Sequence, residues 1–452
     1  MLPDDVLLGI FENMYPPYSK RRIKAWQTLV RVCRRWRSLV LGSPRRLNLR
    51  LCCTPGKPTK DTLDLWPAFP LVVDGIMTSS SDTVNVIEAL GQSNRVCQVF
   101  LLRLVGWQLE EVLAVMQVPF PELTDLQLSS YDETPPIIPD SFLGGSAPRL
   151  RYFKLSSIPF PGFPKLLLSA THLVRLRLSN IPHSGYISPE AMVAFLPGLS
   201  NLTIFYLEFQ SPQSRPGWDR RSLPPPIRSI LPSLDQFNFK GVTEYLEDLV
   251  TFIDAPQLKT LNITFFNQID FDYPRLAQFI NSTPKLRTLD EAHLHFEDCT
   301  ASVKLRCRTS QSGLYNLLIN ISCREPDWQL SSIEQICNSS LHPLSTVVDL
   351  NIGYLYSSLV WKDDASGIEN TLWLELLRPF IAVKNLYLSR EFAPGVAAAL
   401  QDLVETRMTE VLPNLQNIFV ERLELLGSFQ ENIGQFVTAR QLSGHPVVIS
   451  VL

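Results

Sequence analysis

An α/β solenoid built from one recurring unit, entered through a small helical module, is the fold this sequence predicts. Three observations carry the prediction. A motif P-x-L-x-x-L-x-L returns along most of the chain. The segments between its copies show helical apolar stripes. The first forty residues carry a helical pattern of a different kind.

The motif is clearest at Pro121, Leu123, Leu126 and Leu128. It returns at Pro148, Leu150, Phe153 and Leu155, at Leu173, Leu176 and Leu178, and at Leu202, Phe205 and Leu207. Later copies are Pro232, Leu234, Phe237 and Phe239; Pro256, Leu258, Leu261 and Ile263; Pro284, Leu286 and Leu289; and Pro413, Leu415, Ile418 and Val420. Weaker copies lead from Val96, Leu314, Val347 and Val383, and successive leads lie 23 to 36 residues apart. That is the leucine-rich-repeat period of about 20–29, with insertions. Apolar residues at the first, fourth and sixth positions turn inward from a short strand, and those between turn outward. Stacked copies then give a parallel concave sheet with helices or turns on the other side. Helical return segments are expected at Glu190–Leu196, Tyr245–Phe252, Arg275–Ile280, Glu334–Asn338, Trp373–Pro379 and Val396–Thr409, and a last strand at His445–Leu452. Polar stretches 297–312 and 355–370 read as loops. The expected organisation is a helical module over 1–48, a linker and cap over 49–90, and the solenoid over 91–452. Outward positions on the strands are the candidates for touching a client: Arg151, Lys154, Arg175, Arg177, Asp235, Asn238, Lys259 and Asn262. Their mixed charge names no ligand class.

At the N-terminus, Asp4 and Asp5 suit a helix start, where carboxylates meet free amides and the positive dipole end. Val6, Leu7, Ile10 and Phe11 follow at helical spacing. A second helical pattern places Ile23, Trp26, Leu29, Val30, Cys33 and Trp36 on one face, and Gly42-Ser43-Pro44 stops it. Arg45–Cys53 then alternates like a strand, with Leu47, Leu49 and Leu51 on one side, and Leu71–Val73 reads as a short strand and Val84–Leu90 as a helix. Helices totalling fewer than about 40 residues need a staple or a partner to bury such apolar surface, and no staple is visible. No acidic residue occurs between Asn13 and Lys60, against thirteen lysines and arginines from Lys20 to Lys60. An acidic partner, nucleic acid and a solvated basic face all remain open readings. Trp26 and Trp36 fall on the apolar face, so burial is expected for them in place of base stacking.

Leu2, Pro3, Val6, Leu7, Ile10 and Phe11, followed by Val32, Cys33 and Trp36, resemble the F-box. The wider wording of residues 2–70 is similar to F-box proteins abundant in mushroom-forming fungi. Two departures are the long segment Asn13–Arg22 between the helices and the start of the motif at residue 2. The resemblance implies a non-catalytic substrate-recognition subunit of a Skp–cullin–F-box ubiquitin ligase. The helices would bind the Skp-type adaptor, and through it a cullin, while the repeats bind a client protein. The adaptor contacts would be Leu2, Pro3, Val6, Leu7, Ile10, Phe11, Leu29, Val32, Cys33 and Trp36. The alternative is a leucine-rich-repeat scaffold, nucleic-acid-associated and outside any ligase, whose helices only cap the solenoid.

Other classes find little support. An apolar fraction of 45% with 19% charged residues describes a folded globular chain. No stretch reaches the roughly 18 apolar residues of a membrane span, and no secretory signal opens the chain, so a cytoplasmic or nuclear setting with reduced cysteines is expected. Nucleotide-binding glycine motifs, a nucleophile elbow and H-E-x-x-H are all missing. His293, His295 and Cys299 are the one constellation with a metal-like spacing. Both histidines fall on the outward side in this phase, so contact residues are expected there, with no metal, no cofactor and no catalysis.

Overall fold

The structure is a computed structural model, and it describes all residues except 1, 15–19, 162–164, 213–227, 268–270, 272, 309–314, 324, 340, 355–369, 404–408, 422–426 and 452. The chain falls into two compact units. The first is Met1–Ile187 with Gly198–Leu202, and the second is Ser188–Pro197 with Thr203–Leu452.

The first unit opens with helices α1 (Asp4–Asn13), α2 (Lys20–Val32) and α3 (Arg34–Gly42). Strands β1 (Leu51–Cys53), β2 (Leu71–Ile76), β3 (Val96–Leu104), β4 (Asp125–Ser130), β5 (Tyr152–Ser156) and β6 (Arg175–Ile181) follow, each parallel to its neighbour. Between them lie α4 (Thr59–Leu65), α5 (Ser80–Leu90), α6 (Gly106–Val115) and α7 (Lys165–Ser169). The repeat places its apolar residues in rows. Val99, Leu126, Phe153 and Leu176 share one register, and Leu101, Leu128, Leu155 and Leu178 share the next. All eight are at most 2% exposed. Each contributes about 1.5–3 kcal/mol by leaving water. The strands end in a repeated way. Arg103, Ser157 and Asn180 are each seven residues past a lead, and each has positive φ, at 60°, 56° and 54°. This left-handed residue turns the chain out of the sheet. α5 begins with a capping box, in which the Ser79 hydroxyl accepts from the Asp82 amide and Asp82 accepts from the Ser79 amide at 2.8 Å.

The expected strand over 45–53 shortens to its last three residues. Leu47 and Leu49 are buried, as the alternation requires, but their amides bond back to Ser43 and Pro44. Asn48, at φ 51°, makes that segment a turn.

The second unit contains α8 (Pro189–Phe195), β7 (Ile204–Phe209), β8 (Ser229–Ile230), β9 (Gln236–Gly241), α9 (Thr243–Phe252), β10 (Ile253–Asp254) and β11 (Thr260–Phe265). Next come α10 (Pro274–Ser282), β12 (Glu291–Glu297), β13 (Thr300–Arg306), β14 (Leu317–Ser322), α11 (Pro326–Asn338) and β15 (Asp349–Tyr354). The chain continues with α12 (Asn370–Leu377), β16 (Asn385–Leu388), α13 (Ala393–Gln401), β17 (Asn417–Val420), α14 (Gly427–Leu442) and β18 (Val448–Val451). Short strands β8 and β10 pair with each other. The main sheet runs β7-β9-β11-β14-β13-β12-β15-β16-β17-β18. Among the described residues its strands pair in parallel except at β13, which runs antiparallel to β12 and β14.

β13 overturns the loop expected at 297–312. Ala301, Val303 and Leu305 are fully buried and alternate with Ser302, Lys304 and Arg306. The outward polar residues hid a period-two pattern whose inward members include only one leucine. The loop expected at 355–370 lies, up to 369, outside the described residues. α13 stops at Gln401, short of the expected Thr409, and 404–408 are not described. The strand expected at the C-terminal end is present as β18, parallel to β17, with Val448 and Val451 exposed. α14 was not foreseen. It carries Arg440, which is fully buried and donates to the carbonyls of Leu412 and Pro413 at 3.1 and 3.3 Å.

Candidate functional site

Two sets of residues carry candidate chemistry. The first is the helical module. α1 has two apolar faces. Leu7, Leu8 and Phe11 are 5, 8 and 6% exposed and point into the module. Leu2, Val6, Ile10 and Met14 recur every fourth residue and are 52, 42, 46 and 46% exposed. That spacing places Val6, Ile10 and the helical C-cap Met14 in one stripe along α1, with Leu2 just before its first turn. The ring of Phe11 meets Trp36 edge to face at 4.8 Å, which ties α1 to α3. Arg35 at the start of α3 closes the same joint. It donates to Asp4 at 3.0 Å and to the Leu2 carbonyl at 2.6 Å. Three residues before Arg35, Val32 is 56% exposed, and Cys33 beside it is exposed too. The Cys33 sulfur accepts from the Trp36 amide and so caps α3.

The buried side of α2 faces the first strand. Trp26 is 4% exposed, donates its indole N–H to the Arg50 carbonyl at 2.9 Å, and packs edge to face on Trp66 and Phe69. Leu29 and Val30 are buried beside it. The ten expected adaptor contacts therefore divide. Leu7, Phe11 and Leu29 sit inside the module and are the part of the motif that holds the helices together. Trp36 is half-buried against Phe11. Leu2, Pro3, Val6, Ile10, Val32 and Cys33 are exposed. Met14 belongs to the exposed stripe and was missed because it lies beyond the motif.

The second set is the outward strand positions, taken in each unit by itself. Of the eight residues expected to meet a client, four lie in the first unit. Arg151 and Arg175 are exposed, and Lys154 and Arg177 are half-buried at paired positions of β5 and β6. The other four lie in the second unit and are largely engaged with one another. Asp235 and Lys259 form an ion pair at 2.6 Å, and the Asn262 amide donates to Asn238 at 2.8 Å. Asn238 is only 6% exposed, so its place as a contact residue is corrected to that of a link between β9 and β11.

Sequence reading missed the densest group, on β12, β13 and β15. Glu291 accepts from Arg306 at 2.9 and 2.7 Å and faces His293 Nε2 at 2.8 Å. Burial would raise the Glu291 pKa, but the bonds from Arg306 and His293 outweigh it and hold the carboxyl below its usual range. His293 stands across from Lys304 and beside His295, with the Tyr315 ring 5.6 Å away. Burial lowers the pKa of both histidines. Lys304 and His293 push the same way on His295, which falls to about 3. The histidines are thus neutral and partly buried, not freely solvated as their outward position implied. Cys299 lies at the hairpin turn, exposed, beyond the histidine pair. Among the described residues no group of three or more His, Cys, Asp or Glu side chains is placed to hold a metal ion. No described helix is long and apolar enough to cross a membrane.

The repeat geometry is that of a leucine-rich-repeat array. A solved structure of the leucine-rich repeat-containing protein LegL7 from Legionella pneumophila is similar at 14% identity and a TM-score of 0.27, over 88% of this chain and 98% of that one. No family model matches the chain. No curated protein matches it either.

Proposed function

We propose that the chain is a non-catalytic receptor with two ends, in which the helical module docks on a Skp-type adaptor of a cullin ubiquitin ligase and the repeats hold a client protein. The exposed stripe Val6, Ile10 and Met14, with Leu2 exposed just before the helix, is the observation that carries this reading, and Val32 and Cys33 are exposed as well. A helical cap needs one apolar face, and the face bearing Trp26, Leu29 and Val30 already serves β1. A second apolar face, on a helix only ten residues long, is surface that a partner would cover. Arg31, Arg34 and Arg37 are exposed around it, which favours an acidic rim on that partner and makes capture faster at low salt. The ligase would act by positioning, raising the effective concentration of client lysines at the ubiquitin carrier.

Val6→Asp with Ile10→Asp tests the docking. Both side chains are already in solvent, so thermal unfolding should shift little, while co-purification with the adaptor should be lost. Adaptor binding that survives the pair of aspartates sinks the assignment. The scaffold reading, nucleic-acid-associated, predicts instead that the intact chain binds duplex DNA or RNA with a steep salt dependence that Arg31→Ala and Arg34→Ala reduce.

A further inference from the structure

The insert formed by β12, β13 and β14 interrupts the parallel array, and its outward residues leave one charge over. Four carboxylates around it are engaged. Glu291 is held by Arg306 and His293. Asp349 accepts from Asn385 at 2.7 Å and lies 2.6 Å from Arg308. Asp290 accepts from the Arg308 amide at 2.8 Å, and Glu297 from the Thr300 hydroxyl at 3.1 Å. Both arginines are thus taken as well. Lys304 is half-buried, and among the described residues it has no ion-pair partner. Its ammonium lies 5.8 Å from the Tyr315 ring, a modest substitute for an anion. Burial lowers its pKa, and Glu297 offsets this only in part. Holding an unpaired cation partly out of water is costly, and an anion laid against it would recover that cost.

The chemistry of the anion follows from the neighbours. No arginine is left to grip a phosphate in two-pronged fashion. Glu297, which acts on the Lys304 ammonium, disfavours a dianion or a polyanion there. A single carboxylate meets one ammonium, with the neutral imidazoles of His293 and His295 beside it and the Tyr315 ring as a wall. An open cleft lined by Glu291, Arg306, Cys307 and Arg308 adjoins it.

We propose that Lys304 anchors a client carboxylate, the side chain of an Asp or Glu in a protein segment laid across β12 and β13. This rests on the reading of the repeats as the client-binding end. The test uses the full chain and a fluorescein-labelled, otherwise uncharged peptide bearing a single Glu, read by anisotropy beside its Gln counterpart, a phosphoserine counterpart and a single-stranded RNA. The Glu peptide is expected to bind best. Removing a charge-assisted bond costs about 1.5–3 kcal/mol, so Lys304→Met should weaken binding roughly tenfold or more. Lys304→Arg should retain most of it, and Lys259→Ala, whose lysine is already paired with Asp235, should change nothing. Unaltered affinity in Lys304→Met with normal thermal unfolding overturns the site. So does equal binding of the Gln peptide, or a preference for the phosphopeptide or the RNA. Failure of the wild-type chain to bind the Glu peptide while it still captures the adaptor also overturns the site, and leaves the ligase reading standing.

Discussion

The stack β3 to β6 and the insert β12 to β14 use the same inward chemistry and different outward chemistry. In the stack, Leu126, Phe153 and Leu176 fill the row, Lys154 and Arg177 are half-buried on the strands, and an ion pair lies at the rim in water. Arg149 and Glu122 form that pair, with side chains 59% and 47% exposed. In the insert, Ala292, Leu294, Val303 and Leu305 fill the row equally well, but ion pairs sit on the sheet itself. There Glu291 is only 10% exposed and serves two partners. The irregular element thus concentrates ion pairs on the sheet, where removing one partner is felt by the others.

The sharpest way to break this contrast is to neutralise the acid in each region. Glu291→Gln strands Arg306 half-buried and should cost about 3 kcal/mol. Glu122→Gln removes an exposed pair and should cost under about 1 kcal/mol. Urea unfolding of the two variants, each against wild type, reads the difference, and equal costs would erase the distinction. A smaller effect concerns acid. The folded pKa values of His293 and His295 lie below the ordinary 6.5, so the unfolded chain binds more protons below that pH. Their contribution is complete above about pH 6.5 and is lost as pH falls toward the folded value, about 3 for His295. Glu291, also depressed, adds a loss that begins only below the ordinary glutamate value of 4.5. Melting temperature should therefore decline from just under pH 6.5, and His295→Gln should flatten the first part of that decline. The smallest effect belongs to the stack. Arg103 is exposed with φ 60°, a conformation glycine adopts freely, so Arg103→Gly should stabilise by about 0.5 kcal/mol in calorimetry.

Much of the stack was legible in the sequence because one residue type at one spacing repeats. Leu126, Leu128, Leu150, Leu155, Leu173 and Leu178 all lie where the period put them. The burial of Trp26 was legible too, from the helical face it shares with Leu29. The insert was not, for two reasons. Ala301 and Val303 are small, so β13 reads as polar. A period also states that strands stack, not which strands are neighbours. The Glu291 cluster assembles from three strands, and nothing at the spacing of Glu291, Arg306 and Asp349 announces that they meet. On α1 the limit was different. Both faces are apolar, so the motif could not separate Leu7 and Phe11, which hold the fold, from Val6 and Ile10, which face out.

The strand order carries a further consequence for how this array assembles. In a simple solenoid each turn completes itself on the turn before, so turns can be added, lost or duplicated singly and their stabilities add. Here β11 waits for β14, and β12 finds its outer parallel neighbour only in β15. The chain from Thr260 to Tyr354 must close as one cooperative block, with two long loops formed before either is rewarded by pairing. Repeats on either side of that block are interchangeable parts. The block itself is indivisible, and a deletion or duplication within it would leave strands without neighbours.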